Sequence, residues 1–380
     1  MVEVELPTIQ KNWVKRSLTA TCLISYLIVI TYIGLVPIWV STMAIQVKCF
    51  QEIITIAYDK KRLPDIPLFR TLNWYFLFVA NYFLGGETFS QYLDVYAAKY
   101  YLLAKLFQYH RFLSFCLYMN GIIWFLNLLR RKVIRQQFSL LAWVHFLCII
   151  IVLQSYMIIQ NLFEGLIWVV IPVTLVFVND IFAYIFGRIL GKTPLIKVSP
   201  KKTLEGFLGG GIGALVVGFA IAWALCHIDH MVCPTKFIIS AEHSIKMSTE
   251  CNRSIIFSPT SYNFGPVSLN YYPFLKHNFI LTLFASIIAP FGGFCASGFK
   301  RAFKMKDFGD TIPGHGGVMD RFDCQYLMAT FVNVYIVSFV RNYSVERMFA
   351  KFSNLNDENQ LKLFSLLKHN LESQGILQSS

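Results

Sequence analysis

Apolar runs of about twenty residues, each bounded by a short polar connector, recur along most of this chain. A run of about that length crosses the roughly 30 Å hydrocarbon core of a bilayer as one helix. The pattern predicts membrane helices over Phe112–Leu129, Leu140–Ile159, Leu166–Phe186, Phe207–Cys226, Asn278–Ala296 and Phe322–Val340. Leu72–Leu84 is short for a crossing, and Ser17–Val47 is long for one and short for two, with Pro37 as the expected break. The expected fold class is an all-α polytopic membrane protein of about eight or nine helices, with its polar chemistry on connectors and helix ends. Four segments follow: a polar N-terminal cytosolic segment at 1–16, N-terminal membrane helices at 17–186, a second membrane region at 187–340 and a C-terminal tail at 341–380. Lys11, Lys15 and Arg16 precede an apolar run too long for a signal-peptide core, which reads as an uncleaved anchor.

Composition agrees with the pattern. Apolar residues make up 56% of the chain and charged residues 14%, against about 25% charged in a soluble domain. That excludes a disordered chain and an ordinary soluble enzyme. Thirty-four Lys and Arg against 21 Asp and Glu leave a net charge of +13. The excess fits basic cytosolic loops, and it also fits a site for a phosphorylated substrate or an anionic lipid. Most of the nine cysteines, Cys22, Cys116, Cys148 and Cys295 among them, lie in apolar runs and read as small buried hydrophobes.

Charge also orients the connectors. Arg130, Arg131, Lys132 and Arg135 form a basic turn that the positive-inside rule places in the cytosol. Counting helices forward puts Gly187–Glu205 and Ser297–Arg321 on that same side and His227–His277 opposite. The opposite loop carries Cys233, Cys251 and the sequon Asn252-Arg253-Ser254. A lumenal compartment permits both a disulfide and a glycan, and the sequence leaves the pairing and the glycan open. The side of the tail stays open too, since helix parity and the basic residues Arg341, Arg347 and Lys351 point in different directions.

Two connectors on the cytosolic face hold nearly all the polar residues of interest. The first follows Asp180, a carboxylate inside an apolar run, which marks either a functional position or a salt bridge to another helix. It continues through Ser199-Pro-Lys201-Lys202-Thr203-Leu-Glu205 into a Gly-rich helix. Two ammonium groups and two hydroxyls at a helix start suit phosphate oxygens, although Lys201 and Lys202 read equally as membrane-edge anchors. Gly209, Gly210, Gly211 and Gly213, like Gly292, Gly293 and Ala296, read as helix-packing positions.

The second connector, Ser297–Asp323, gathers five basic residues (Lys300, Arg301, Lys304, Lys306, Arg321) and four Asp (307, 310, 320, 323). Acids interleaved with Lys and Arg are what a metal–polyphosphate site needs, because acids hold a hard cation and basic groups hold the phosphates sharing it. Pro313-Gly-His315-Gly-Gly breaks the helix and lets backbone approach a ligand. Asp320 and Asp323 share a face at i, i+3 near a helix start. His315 reads either as a turn cap or as a phosphate or leaving-group ligand.

Ser297–Asp323 resembles the full signature of the phosphatidate cytidylyltransferases, the CDP-diacylglycerol synthases. Residues 197–207, Asn161–Trp168 and Met319–Phe331 resemble the eukaryotic branch, and the likeness runs from about Trp13 to the C-terminus. The resemblance implies that CTP and phosphatidic acid give CDP-diacylglycerol and pyrophosphate with Mg²⁺. It also implies an endoplasmic reticulum membrane location with the site facing the cytosol. On this basis Asp320, Asp323, Asp307 and Asp180 are assigned to metal, and Lys300, Arg301, Lys306 and Arg321 to triphosphate or lipid phosphate. Ser199, Lys201, Lys202, Thr203 and Glu205 assist in substrate binding, and His315 completes the catalytic set with Asp307, Lys306, Arg321, Asp320 and Asp323. The expected partners are CTP, phosphatidic acid and the lipid bilayer, with a second copy of the chain as a candidate and no nucleic acid. A CTP-dependent polyprenol or dolichol kinase is the alternative enzyme, and a polytopic transporter is the remote one.

Overall fold

A computed structural model describes residues 8–61, 68–92, 100–196, 199, 202–234, 237–239, 245–247, 251, 253–264, 267–341, 352 and 356–374. Long helices dominate. They are α1 (Thr8–Ile33), α2 (Leu35–Lys61), α3 (Phe69–Tyr92), α5 (His110–Asn127), α6 (Ile134–Phe163), α7 (Ile167–Ile189) and α8 (Leu204–Cys226). The pair α9 (Phe274–Ile287) and α10 (Pro290–Ala302) forms one further rod, and α11 (Met319–Tyr335) continues as a π turn to Val340. A short α4 (Tyr101–Gln108) precedes α5. Five rods among the described residues (α6, α7, α8, α9–α10 and α11) are long and apolar enough to cross a membrane. The chain is an all-α polytopic membrane protein.

Two helix boundaries differ from expectation. The break between α1 and α2 falls at Gly34, with φ of 111°, and not at Pro37. Pro37 lies in the first turn of α2, where a missing N–H costs nothing because no partner exists for it there. The short Leu72–Leu84 run is part of the 24-residue α3. Its polar positions find partners among neighbouring helices: Asn73 donates to the Tyr58 hydroxyl, and Asn81 accepts from Gln46 Nε2 at 2.8 Å. Polar groups that meet one another interrupt hydropathy without interrupting a helix.

The connector between α8 and α9 is the least helical part. Cys233 and Cys251 are joined by a disulfide, with Cα atoms 5.5 Å apart. Two antiparallel hairpins follow the helical turn Asp229–Val232: β1 (Phe237–Ile239) with β2 (Ile245–Met247), and β3 (Thr260–Phe264) with β4 (Val267–Tyr271). Outside a helix, backbone N–H and C=O groups pair across strands, which an all-helical reading does not foresee.

Residues Met1–Asn333 form one compact unit and Val334–Ser380 a second. In the first, α2, α3, α5 and α6 bury one apolar core containing Phe50, Ile53, Phe69, Phe125 and Val144. Phe308, Val318 and Met319 from the second polar connector belong to that same core. In the second unit Asn356 N-caps a separate helix, α12 (Asp357–Ser373), by accepting from Asn359 N–H at 3.1 Å.

The α7–α8 contact decides where the first polar connector sits. A Cβ on Gly209 or Gly213 would lie 2.3 Å from the ring of Phe186 or Phe182, and one on Gly218 2.3 Å from Leu175. Small residues thus let the two helices approach where lipid supplies no hydrophobic drive. Gly213→Val should cost about 1–3 kcal/mol by overpacking. The expected outcome is a lower thermal midpoint and reduced monodisperse yield in detergent, with Gly211→Ala, whose nearest neighbour is 3.5 Å away, as the near-neutral control.

Candidate active site

The first connector folds back between α7 and α8. Leu195 and Leu204 N–H donate to Lys202 O and Thr193 O at 2.8 and 2.9 Å, and Lys202 N–H to Ser199 O at 3.1 Å. Thr203 N-caps α8, its Oγ1 accepting from Gly206 N–H at 3.2 Å. Glu205 is engaged by the connector itself, accepting from Lys192 N–H at 3.1 Å and from Thr193 Oγ1 at 2.8 Å. It therefore shapes the turn that carries Lys202. Lys201 lies outside the described residues.

Lys202 points toward the second connector. Its ammonium stands 4.6 Å above the Phe294 ring of α10. A Cβ on Gly293 would lie 3.8 Å from that ammonium and 3.6 Å from Asp323 Oδ2. Glycine there lets lysine and carboxylate come together. Asp180 interacts electrostatically with Lys202 and Arg321, and Asp323 with Lys300 and Asp180. Three basic and two acidic groups from α7, the α8 entrance, α10 and α11 form one charged cluster. Asp180 makes no hydrogen bond or ion pair among the described residues. Asp323 accepts from Cys324 N–H at 2.7 Å.

Asp320 has a different environment. Its Oδ1 meets Lys300 Nζ at 2.5 Å, with side chains only 4% and 13% exposed. Oδ2 accepts from Phe308 N–H at 2.8 Å and Gly317 N–H at 3.0 Å. The carboxylate is thus enclosed by an ammonium and two backbone donors, and it folds the connector while fixing Lys300. Asp307 lies beside it: a Cβ on Gly316 would be 3.2 Å from both Asp307 Cγ and Asp320 Oδ2. His315 sits in a turn closed by Ile312 N–H to Gly316 O at 2.8 Å, with Gly314 and Gly316 at positive φ. Its Nδ1 is 3.4 Å from Pro313 O, and its carbonyl accepts from Arg321 Nη2 at 2.8 Å. Arg301 reaches Met305 O at 3.4 Å, and Lys306 is exposed with no hydrogen bond among the described residues.

Glu52 of α2 is a residue that motif reading passes over. It is 8% exposed, and its oxygens accept from Thr311 Oγ1 at 2.6 Å, Val318 N–H at 2.9 Å and Met319 N–H at 3.0 Å. The available signal is a lone carboxylate within the apolar stretch Cys49–Tyr58.

Hard oxygen donors from Asp180 and Asp323 beside Lys202, Arg321 and Lys300 suit a divalent cation together with phosphate. The fold defines a polytopic membrane protein, and this charged cluster is its candidate site for phosphoryl chemistry. Residues 14–339 match the model of the cytidylyltransferase family, so the chain belongs to that family. It is 46% identical over 376 residues to phosphatidate cytidylyltransferase 1 of Rattus norvegicus, covering 97% of this chain and 81% of the relative. Against phosphatidate cytidylyltransferase 2 of Mus musculus it is 45% identical over 378 residues, 97% and 84% of the two chains. The phosphatidate cytidylyltransferase of Caenorhabditis elegans is 44% identical over 384 residues, 98% and 81% of the two.

The two carboxylates of the i, i+3 pair should separate experimentally. Asp320→Asn leaves a buried ammonium unpaired, at a cost of about 3–5 kcal/mol, and should lower the thermal midpoint sharply along with activity. Asp323→Asn should remove activity with a thermal midpoint close to wild type. Equal thermal shifts in the two variants would contradict the distinction.

Proposed function

We infer that this chain transfers the cytidylyl group of CTP to phosphatidic acid, giving CDP-diacylglycerol and pyrophosphate. It is a membrane nucleotidyltransferase of phospholipid biosynthesis. The observation that carries the reading is the convergence of Lys202, Asp180, Arg321, Asp323 and Lys300 in a chain of this family. A lipid phosphate is largely ionised at neutral pH, so one of its oxygens attacks the α-phosphorus of CTP without a general base. The bond from that phosphorus to the bridging oxygen breaks, and pyrophosphate leaves. The barrier is the approach of two polyanions, and Lys and Arg clamps lower it by neutralisation and alignment.

In this reading Lys202 and Arg321 hold phosphate oxygens, and Lys300, fixed by Asp320, supplies positive charge beside Asp323. Asp180 and Asp323 are the residues that would hold Mg²⁺, with Asp307 nearby. A bound Mg²⁺ supplies charge neutralisation at the phosphates. Ser199 and Thr203 position the lysine turn, and Arg301 and Lys306 stand exposed to meet an incoming anion. Nothing in the site favours a lipid-alcohol kinase, which needs a base for its hydroxyl, or a transporter.

In this reading the site faces the cytosol from the endoplasmic reticulum membrane. Support comes from the basic turn at Arg130–Arg135, whose neighbours Leu128, Leu129 and Val133 pack on the same core as Phe308. The disulfide between Cys233 and Cys251 in the opposite connector fits an oxidising lumen.

Purified protein in detergent with labelled CTP, phosphatidic acid and Mg²⁺ should yield lipid-soluble cytidylate and pyrophosphate in equal amounts. Release of CDP in place of pyrophosphate would identify a kinase. Lys202→Arg keeps the charge but changes its shape, so kcat/KM for CTP should fall about tenfold (~1.4 kcal/mol) with normal insertion. Wild-type kinetics would return Lys202 to a membrane-edge anchor. In sealed microsomes, a membrane-impermeant maleimide should label a single-Cys variant carrying Ser199→Cys, and one carrying Thr260→Cys only after the membrane is permeabilised. Labelling of position 260 in intact vesicles would overturn the orientation.

A further inference from the structure

Glu52 lies on α2, outside both polar connectors, and makes no ion pair among the described residues. Its charge is met by donors alone: one hydroxyl of the second connector and the N–H groups of Val318 and Met319. Those two N–H groups are at the start of α11, where a helix has no internal partners for its donors and presents positive dipole. The connector is shaped around this carboxylate. A Cβ on Gly317 would lie 2.6 Å from Glu52 Oε2, and one on Gly309 3.2 Å from Oε1. Asp320 is the next residue after Met319, and Asp323 follows one turn later on the same face.

We propose that Glu52 is a positioning residue for cytidylyl transfer, an assignment that rests on the reading above. From the N-terminal helices it holds the first turn of α11 so that Asp320 fixes Lys300 and Asp323 faces Asp180 and Lys202. Glu52 itself touches no substrate. Its loss displaces Asp320, Arg321 and Asp323 at the start of α11 while leaving Lys202 and the Ser199–Thr203 turn, which its hydrogen bonds do not reach. With Lys202 still in place to hold CTP, the expected signature is a loss in kcat that exceeds the change in KM for CTP.

Glu52→Gln keeps the size but turns an N–H₂ toward donors at one of the two oxygen positions. It should lower kcat about tenfold or more (~1.4 kcal/mol) and leave KM for CTP within about threefold. Hydrogen exchange at the Val318 and Met319 amides should accelerate in parallel. Thr311→Val removes one of the three bonds and should give a smaller defect of the same kind. Gly317→Ala, which pushes the carboxylate out, should resemble Glu52→Gln. Wild-type kcat in Glu52→Gln, a loss matched by the fall in folded fraction, or equal changes in kcat and KM would each overturn the assignment. If Glu52→Gln does not fold, Thr311→Val decides: a drop confined to kcat supports positioning, and an unchanged kcat overturns it. Amide exchange needs no turnover. A wild-type protein that makes no CDP-diacylglycerol would therefore sink the functional reading, while exchange at 318–319 would still test the clamp.

Discussion

The ammonium of Lys300 and the carboxylate of Asp320 meet at 2.5 Å with almost no access to water. Taking two charges out of solvent costs several kcal/mol for each, and their attraction compensates only when the remaining lone pairs are satisfied. Here the backbone satisfies them: Phe308 and Gly317 point their N–H groups at the second oxygen. The connector between α10 and α11 is thereby obliged to fold down over the start of α11. Phe308, Val318 and Met319 follow into the apolar core of the N-terminal helices, and Glu52 closes the same loop from α2. A loop rich in charge becomes rigid because two buried carboxylates hold it from opposite sides.

That fold of the connector matters only if its partners on α7 and the α8 entrance are equally well placed. In a bilayer, helix association rests on close packing and interhelical hydrogen bonds. The glycines of α8 supply the first by meeting Phe182 and Phe186 of α7 at distances no side chain would allow. Buried amides supply the second. Asn161 donates to Ala329 O at 3.1 Å, Gln325 to Val173 O at 3.2 Å, and Asn333 to Asn161 Oδ1 at 3.1 Å. These bonds set α11 against α6 and α7, and Asp323 near the start of α11 is electrostatically coupled to Asp180 of α7. Gly292 and Gly293 then let α10 close on the same segment, and Lys202 arrives from the α8 entrance.

Much of this was legible in the residue order. Membrane helices need long uninterrupted apolar runs, so α6, α7, α8, α9–α10 and α11 stand out in hydropathy alone. Charged residues are costly in such a chain, so their concentration in two connectors marked the candidate site, and the fold brings residues of both connectors together. Spacing carried the pairing of Asp320 and Asp323 on one helix face. It did not divide their labour. Local sequence cannot show that Asp320 is enclosed by Lys300 and two backbone donors while Asp323 shares the space over Gly293 with Lys202. That difference arises from which groups are excluded from water once the helices pack.

The same reason explains the other gaps. Glu205 and His315 look like ligands in a motif, yet each is spent at least partly on the turn that holds it. Glu52 looks like a stray charge, because its partners lie some 260 residues further along the chain. The helix break at Gly34 and the lysine contact over Phe294 depend on neighbours that periodicity does not contain. Apolar length and charge frequency are one-dimensional quantities, so they are written in the chain. Desolvation and donor geometry are properties of surroundings, and those exist only after distant segments have met.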